Sequence, residues 1–318
     1  MGTERRNPRA EATLLLPSGF EARVLEPSLP VNTDPDWFAD DPTDLAGAGS
    51  IVTIVAGEGA TWSSLDDSAA VEYAARNWLD GHRRLAPLPS EFETTRAALH
   101  QLAFFAIAPK RFAATGKLGL RYTSGGFGTP FFGNDEQVRI ERGLLVHQTA
   151  DHLRSTPVTT VAAAASFLGL EYRAEWFEGF HDPLQPVDPD MPLAVDADSA
   201  AALGDWFGFG THVLELARST PGAIGVSRVQ LWHEHLEPAF EMGPDSHRAS
   251  YGASAGDAVH PEPYLYVAAW GTIDRTDPYW NDDTFNGASL AYADLLTADD
   301  PYQAAVSFFR AGYERLVA

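Results

Sequence analysis

Residues 179–199, "GFHDPLQPVDPDMPLAVDADS", constrain the fold most, because closely spaced prolines and aspartates leave neither a helical nor an alternating apolar period anywhere along them. A chain broken there must build its elements on either side. The order read on the two sides is the same: a long helix, a run of strands and a shorter helix. The sequence therefore predicts an α+β fold of two antiparallel β-meander plus helix units, over 90–180 and 199–318, joined by a Pro/Asp-rich linker at 181–198. Residues 1–89 form an extension with short strands and one helix. The two halves share an order of elements but no residue-level repeat, so a pseudo-repeat rests on that order alone.

Within the first unit, Ser90 and Glu93 have capping-box spacing, and Phe92, Leu99, Leu102, Ala103 and Ala106 make one apolar helical face that Pro109 is expected to interrupt. "KLGLRYTS", "QVRIER" and "LLVHQT" read as strands, with "GGFGTPFFGND" and "RG" as turns. Thr159 or Thr160 opens an alanine-rich helix that ends at Gly169. In the second unit a helix covers about 199–219, strands surround "VSRVQLWHEHLE", "RASYGASAG" and "YLYVAAWG", and Pro301 starts the closing helix. In the extension, 12–26 read as a hairpin, "SIVTIVAG" as a buried strand, and Asp66 or Asp67 as the cap of a helix reaching Asp80.

Composition narrows the chemistry. The chain has no cysteine, which removes disulfides, thiolate nucleophiles, iron–sulfur clusters and cysteine-bound zinc. Its formal net charge of −22 repels phosphate backbones and anionic membranes, so neither nucleic acid nor membrane is an expected partner, whereas a small-molecule ligand is. "ATLLL" near the start is too short for a secretory core, and the chain is expected to be cytoplasmic.

"VQLWHEHLEPAF", "YGASAGD", "PEPYLYVAAW" and "YWNDDTFNGASLAYADLL" together resemble an uncharacterised bacterial domain-of-unknown-function family, over about residues 94–316 and most closely after Val226. Trp232, Glu237, Gly256, Asp257, Glu262, Pro263, Tyr264 and Trp280 lie on its motifs, Glu237 standing where an aspartate is more familiar. The resemblance implies no catalytic role for any of them.

Three residue sets carry possible chemistry. On a continuous strand His233, His235 and Glu237 share a face, and two imidazoles with a carboxylate suit a divalent metal such as Zn, Mn or Fe. The opposing reading is the wet face of an ordinary sheet. Trp232 and Leu236 are then expected to face the core, with His233, His235 and Glu237 outward or in a cleft, and Glu234 needing a partner such as Arg228. A second set, Lys110, Arg111, Lys117 and Arg121, concentrates cations beside a glycine-rich turn and suits an anion, although a glycine-bulged hairpin explains it as well. The third set combines Trp232, Glu262, Tyr264, Tyr266 and Trp280, with Asp257 at the rim. Rings supply apolar area and carboxylates orient polar groups, as in sites for small amphipathic ligands, and rings equally build cores. HExxH is absent. The leading expectation is a small-molecule-binding protein with its pocket in the C-terminal half; the rival is a metal-dependent enzyme at His233, His235 and Glu237.

Overall fold

A computed structural model of the protein describes residues 85–317, except positions 124, 131, 133–135, 150–152, 176–183, 219 and 228. The hairpin, strand and helix expected over 12–80, and Arg228, lie outside the described residues.

Helix α1 (Phe92–Leu102) runs through a π-helical segment, Ala103–Ile107, into α2 (Ala108–Thr115), which stops at Gly116 in the left-handed region. Pro109 therefore does not end the helix, contrary to the sequence expectation. The Ala108 N–H bonds the carbonyl of Ala103, five residues back. That wider turn opens the ladder where the proline ring and its missing N–H would otherwise conflict with the preceding turn. The capping box does not form either, since the residue before the helix is Glu91 and no side chain caps it.

A five-stranded antiparallel meander follows: β1 (Arg121–Thr123), β2 (Gly126–Gly128), β3 (Gln137–Glu141), β4 (Leu144–Gln148) and β5 (Leu153–Pro157). Arg142 and Gly143, at φ 49° and 80°, make the two-residue turn between β3 and β4. Thr160 caps α3 (Val161–Phe167) by accepting from the Ala163 N–H at 3.0 Å. The second half repeats the order. Helix α4 (Ala197–Arg218) precedes β6 (Gln230–Trp232), β7 (Glu237–Met242), β8 (Ala249–Ser254), β9 (Tyr264–Ala269) and β10 (Gly287–Ala291), again a sequential antiparallel sheet, and then α5 (Tyr292–Thr297) and α6 (Pro301–Val317). The fold is α+β, with helices and two five-stranded antiparallel sheets.

The sheets meet beside their first strands, where Leu120 and Leu231 exchange backbone hydrogen bonds of 2.8 and 2.9 Å. Helix α4 packs against both sheets, and its Trp206, Phe207, Phe209 and Val213 are fully covered. Burial of each such side chain contributes about 1.5–3 kcal/mol, which ties the halves into one core. Trp206 also donates to the Ser254 carbonyl at 2.8 Å, fixing the end of β8. Among the described residues no helix is long and apolar enough to cross a membrane.

Candidate functional site

The segment "LWHEHLEP" is a hairpin rather than one strand. Trp232 pairs with Glu237, leaving His233, Glu234, His235 and Leu236 as the loop, with Leu236 at φ 53°. Side chains in a loop do not alternate, so the expected shared face of His233, His235 and Glu237 does not exist. His233 is 1% exposed and stacks on Phe104 at 5.4 Å, and burial lowers its pKa to about 3. His235 is exposed, and Glu237 is buried with 9% exposure. Leu236 faces the core as expected, but Trp232 is only half-buried. The three proposed metal ligands are thus split between core and cleft. Among the described residues no group of three or more His, Asp or Glu side chains is arranged to hold a metal ion.

His235 and Glu237 nevertheless converge with part of the aromatic set. Both line a cleft of about 520 Å³ with Tyr264, Tyr266 and Asp257. Strand β9 explains the tyrosines: Leu265, Val267 and Ala269 point into the core, while Tyr264, Tyr266 and Ala268 occupy the other face and floor the cleft. Tyr266 lies opposite Gly252 of β8, and a Cβ there would sit 2.4 Å from its ring, so glycine lets the ring lie across the sheet. The Tyr266 hydroxyl donates to Glu237 Oε1 at 2.7 Å, and the Tyr264 hydroxyl donates to Asp257 Oδ2 at 2.9 Å. Phe285 adds a further ring, edge-on to Tyr266 at 6.1 Å.

The opposite wall comes from the first half. Glu93, Arg96, Ala97 and His100 recur at one-turn spacing along α1 and line the cleft together. His100 Nε2 donates to the carbonyls of His233 and Glu234 at 3.1 and 2.8 Å, which fixes the neutral tautomer and clamps the β6–β7 loop. Burial first, and then nearby His235 and Arg96, lower the His100 pKa to about 4. Arg96 Nη1 donates to the carbonyls of Ala255 and Pro261 at 3.3 and 2.9 Å and so clamps the β8–β9 connection. Gly256, at φ 96°, admits that guanidinium, since a Cβ would stand 2.3 Å from Nη1.

Two carboxylates in the cleft differ in electrostatics. Burial raises the pKa of Glu237, opposed by His235 and by the bond from Tyr266. Burial acts in the same direction on Asp257, but the amides of His260 and Val259 and the Tyr264 hydroxyl outweigh it and hold that pKa below the ordinary value. Burial also pushes both phenols up, so each stays protonated and donates.

Other predicted residues lie elsewhere. Trp280 is in the core at 6% exposure, Glu262 is exposed, and neither they nor Trp232 line the cleft. The cationic set does not form a phosphate cradle. Lys110 pairs with Glu136 at 3.0 Å, and Arg111, 2% exposed, donates to the Gly119 carbonyl. Lys117 and Arg121 are half-buried. Gly126 and Gly128 belong to β2 and pack on β3, where a Cβ would meet the Ile140 and Val138 carbonyls at 2.1 and 2.4 Å.

Sequence reasoning missed Glu93, Arg96, His100, Ser254 and Phe285. The stripe of Glu93, Arg96 and His100 was readable as a polar helix face but resembled solvated surface. Residues 252–256, "GASAG", also spell GxSxG, and Ser254 lines the cleft. The context of a nucleophile elbow is missing, because Ser254 ends an antiparallel strand and a loop follows it. Its hydroxyl accepts from the Gly256 N–H at 3.1 Å and bonds Tyr264, and among the described residues no histidine bonds it. Comparison of the chain with family models, with curated proteins and with solved structures finds no match.

Proposed function

We propose that the protein binds a small molecule in the cleft between α1 and the second sheet. One observation carries this reading: a single concavity of about 520 Å³ gathers two tyrosines, each bonded to a carboxylate, with a further ring and an exposed histidine. That volume lies within the range typical of ligand sites, roughly 300–1,000 Å³. Apolar ring surface beside a few placed polar groups is what orients a small amphipathic ligand. The family resemblance brings no activity with it, so the cleft alone supports the proposal. A cytoplasmic setting is part of the same proposal.

The test is a thermal-shift screen of the full chain against organic cations, polyols, organic acids and nucleotides. Ala97→Trp, an exposed position on the cleft wall, provides the blocked control. A ligand bound at one hundred times its Kd stabilises by about 2.7 kcal/mol, enough to move the melting temperature by several degrees. A shift in wild type that Ala97→Trp abolishes supports the reading. A screen without shifts, or shifts that persist in the blocked variant, overturns it.

A further inference from the structure

The charge and rings of the cleft go further than "a small molecule", and we infer that its ligand class is an organic cation, an ammonium or guanidinium group carried on an apolar body. This inference rests on the cleft being a ligand site and adds the sign of the ligand.

The first support is the balance of charge. Glu93, Glu234, Glu237 and Asp257 line the cleft against one guanidinium, Arg96. Arg96 is 9% exposed, and its Nη1 is committed to two backbone carbonyls, so it serves the wall more than a ligand. The whole chain, at −22, adds a field of the same sign, and a concave site with low-dielectric walls concentrates it.

Glu237 provides the second, independent support. Its Oε1 accepts from Tyr266, which turns the carboxylate toward the rings, and the residue lines the open cleft although it is only 9% exposed. A carboxylate largely removed from water but open to the cleft attracts a ligand N–H or an onium charge more strongly than one in bulk water does. The polar edge of the cleft is therefore rich in acceptors, which a carboxylate or phosphate ligand cannot use.

The rings are the third. Tyr264 and Tyr266 have centroids 6.2 Å apart at 50°, and Tyr266 and Phe285 are 6.1 Å apart at 78°. Consecutive rings meet at steep angles and enclose a corner, with Glu237 and Asp257 bonded to the two hydroxyls. Electron-rich rings around a corner attract onium groups within about 6 Å of their centroids, most strongly when water is excluded. A metal ion uses none of this aromatic area, whereas an alkylammonium group uses both the rings and the acids.

The test compares choline with 3,3-dimethyl-1-butanol, which has the same shape without the charge. Agmatine serves as a guanidinium probe, and glycerol and citrate as neutral and anionic probes. Affinities for the full chain come from titration calorimetry, and saturation-transfer NMR on wild-type protein needs no variant. Choline or agmatine should bind at least about ten-fold more tightly than the neutral isostere. Choline methyl signals should take up saturation from the tyrosine ring protons. Glu237→Gln should weaken the cation about ten-fold or more while leaving the isostere unaffected, and Phe285→Ala, at a half-buried loop position, repeats the test if Glu237→Gln does not fold. Equal binding of choline and its isostere, or binding of citrate or glycerol instead, overturns the cation inference and leaves the small-molecule reading standing. Failure of every probe together with an empty screen overturns both.

Discussion

Replacing Tyr266 by phenylalanine removes one oxygen and keeps the ring over Gly252, so it isolates the bond to Glu237. That bond is 2.7 Å long and ends on a carboxylate of 9% exposure. A bond to a charged, desolvated acceptor contributes about 1.5–3 kcal/mol, against about 0.5–1.5 kcal/mol between neutral partners. Burial already holds the Glu237 pKa above its ordinary value, and the Tyr266 bond pulls it down, so Tyr266→Phe moves it higher still. A carboxyl whose folded pKa is raised destabilises the native state when ionised; the penalty is absent below the unfolded pKa and complete above the folded one. The variant should therefore lose about 1.5–3 kcal/mol near pH 8 and only about 0.5–1.5 kcal/mol near pH 4. With a urea m-value of about 3 kcal/mol/M, the loss near pH 8 is a midpoint shift of about 0.5–1 M. Urea unfolding followed by tryptophan fluorescence at both pH values measures it. A loss that is equal at the two, or larger in acid, refutes the reasoning about Glu237.

Four further outcomes are expected. Arg96→Met leaves the carbonyls of Ala255 and Pro261 without their donor, and should cost about 2–4 kcal/mol in urea unfolding and speed amide exchange across 255–261. Gly256→Ala at φ 96° should cost a similar amount, about 2–4 kcal/mol, and an Arg96→Ala background should relieve only part of it, because the clash with Nη1 goes while those with the Pro261 and His260 carbonyls at 2.8 and 2.9 Å remain. Glu141→Gln removes a buried negative charge 3.0 Å from the Arg139 guanidinium, itself 1% exposed, and should lower stability by about 3–5 kcal/mol at neutral pH by the same unfolding measurement. Ser254 should resist a fluorophosphonate probe, since no histidine among the described residues bonds it, and labelling of Ser254 detected by mass spectrometry would instead mark it as an activated nucleophile.

The order of elements was legible because each signal was local. Thr160 capped its helix, the Arg142–Gly143 turn followed from its glycine, and the apolar alternation of β9 placed Tyr264 and Tyr266 on one face. The misreadings came where tertiary context overrode a local rule. "LWHEHLEP" has strand-like composition, and only the pairing of Trp232 with Glu237 makes its middle a loop. Pro238, which has no N–H to give a ladder, is nevertheless the second residue of β7. Pro109 stood as a helix stop, and a π-helical turn just before it removed the conflict. GxSxG fails in the opposite way: the letters are present at 252–256, and the strand-to-helix turn that gives them meaning is not.

The wall residues were the least legible, for a reason that also explains the cleft. Glu93, Arg96 and His100 lie far from β7–β9 in sequence, and alone they describe only the polar side of an amphipathic helix. Their chemistry appears when the first half docks on the second: His100 then holds the loop carrying His235, and Arg96 holds the connection carrying Asp257. Both clamps donate to backbone carbonyls, so their geometry depends on the path of the loops and little on the side chains those loops present. The chain between α3 and α4 thus separates the two sheets in sequence but does not divide the site. The side chains that carry the ring and carboxylate chemistry, Glu237, Asp257, Tyr264, Tyr266 and Phe285, come from the second sheet and its loops, while α1 adds Glu93 to the wall and fixes where two of those loops stand.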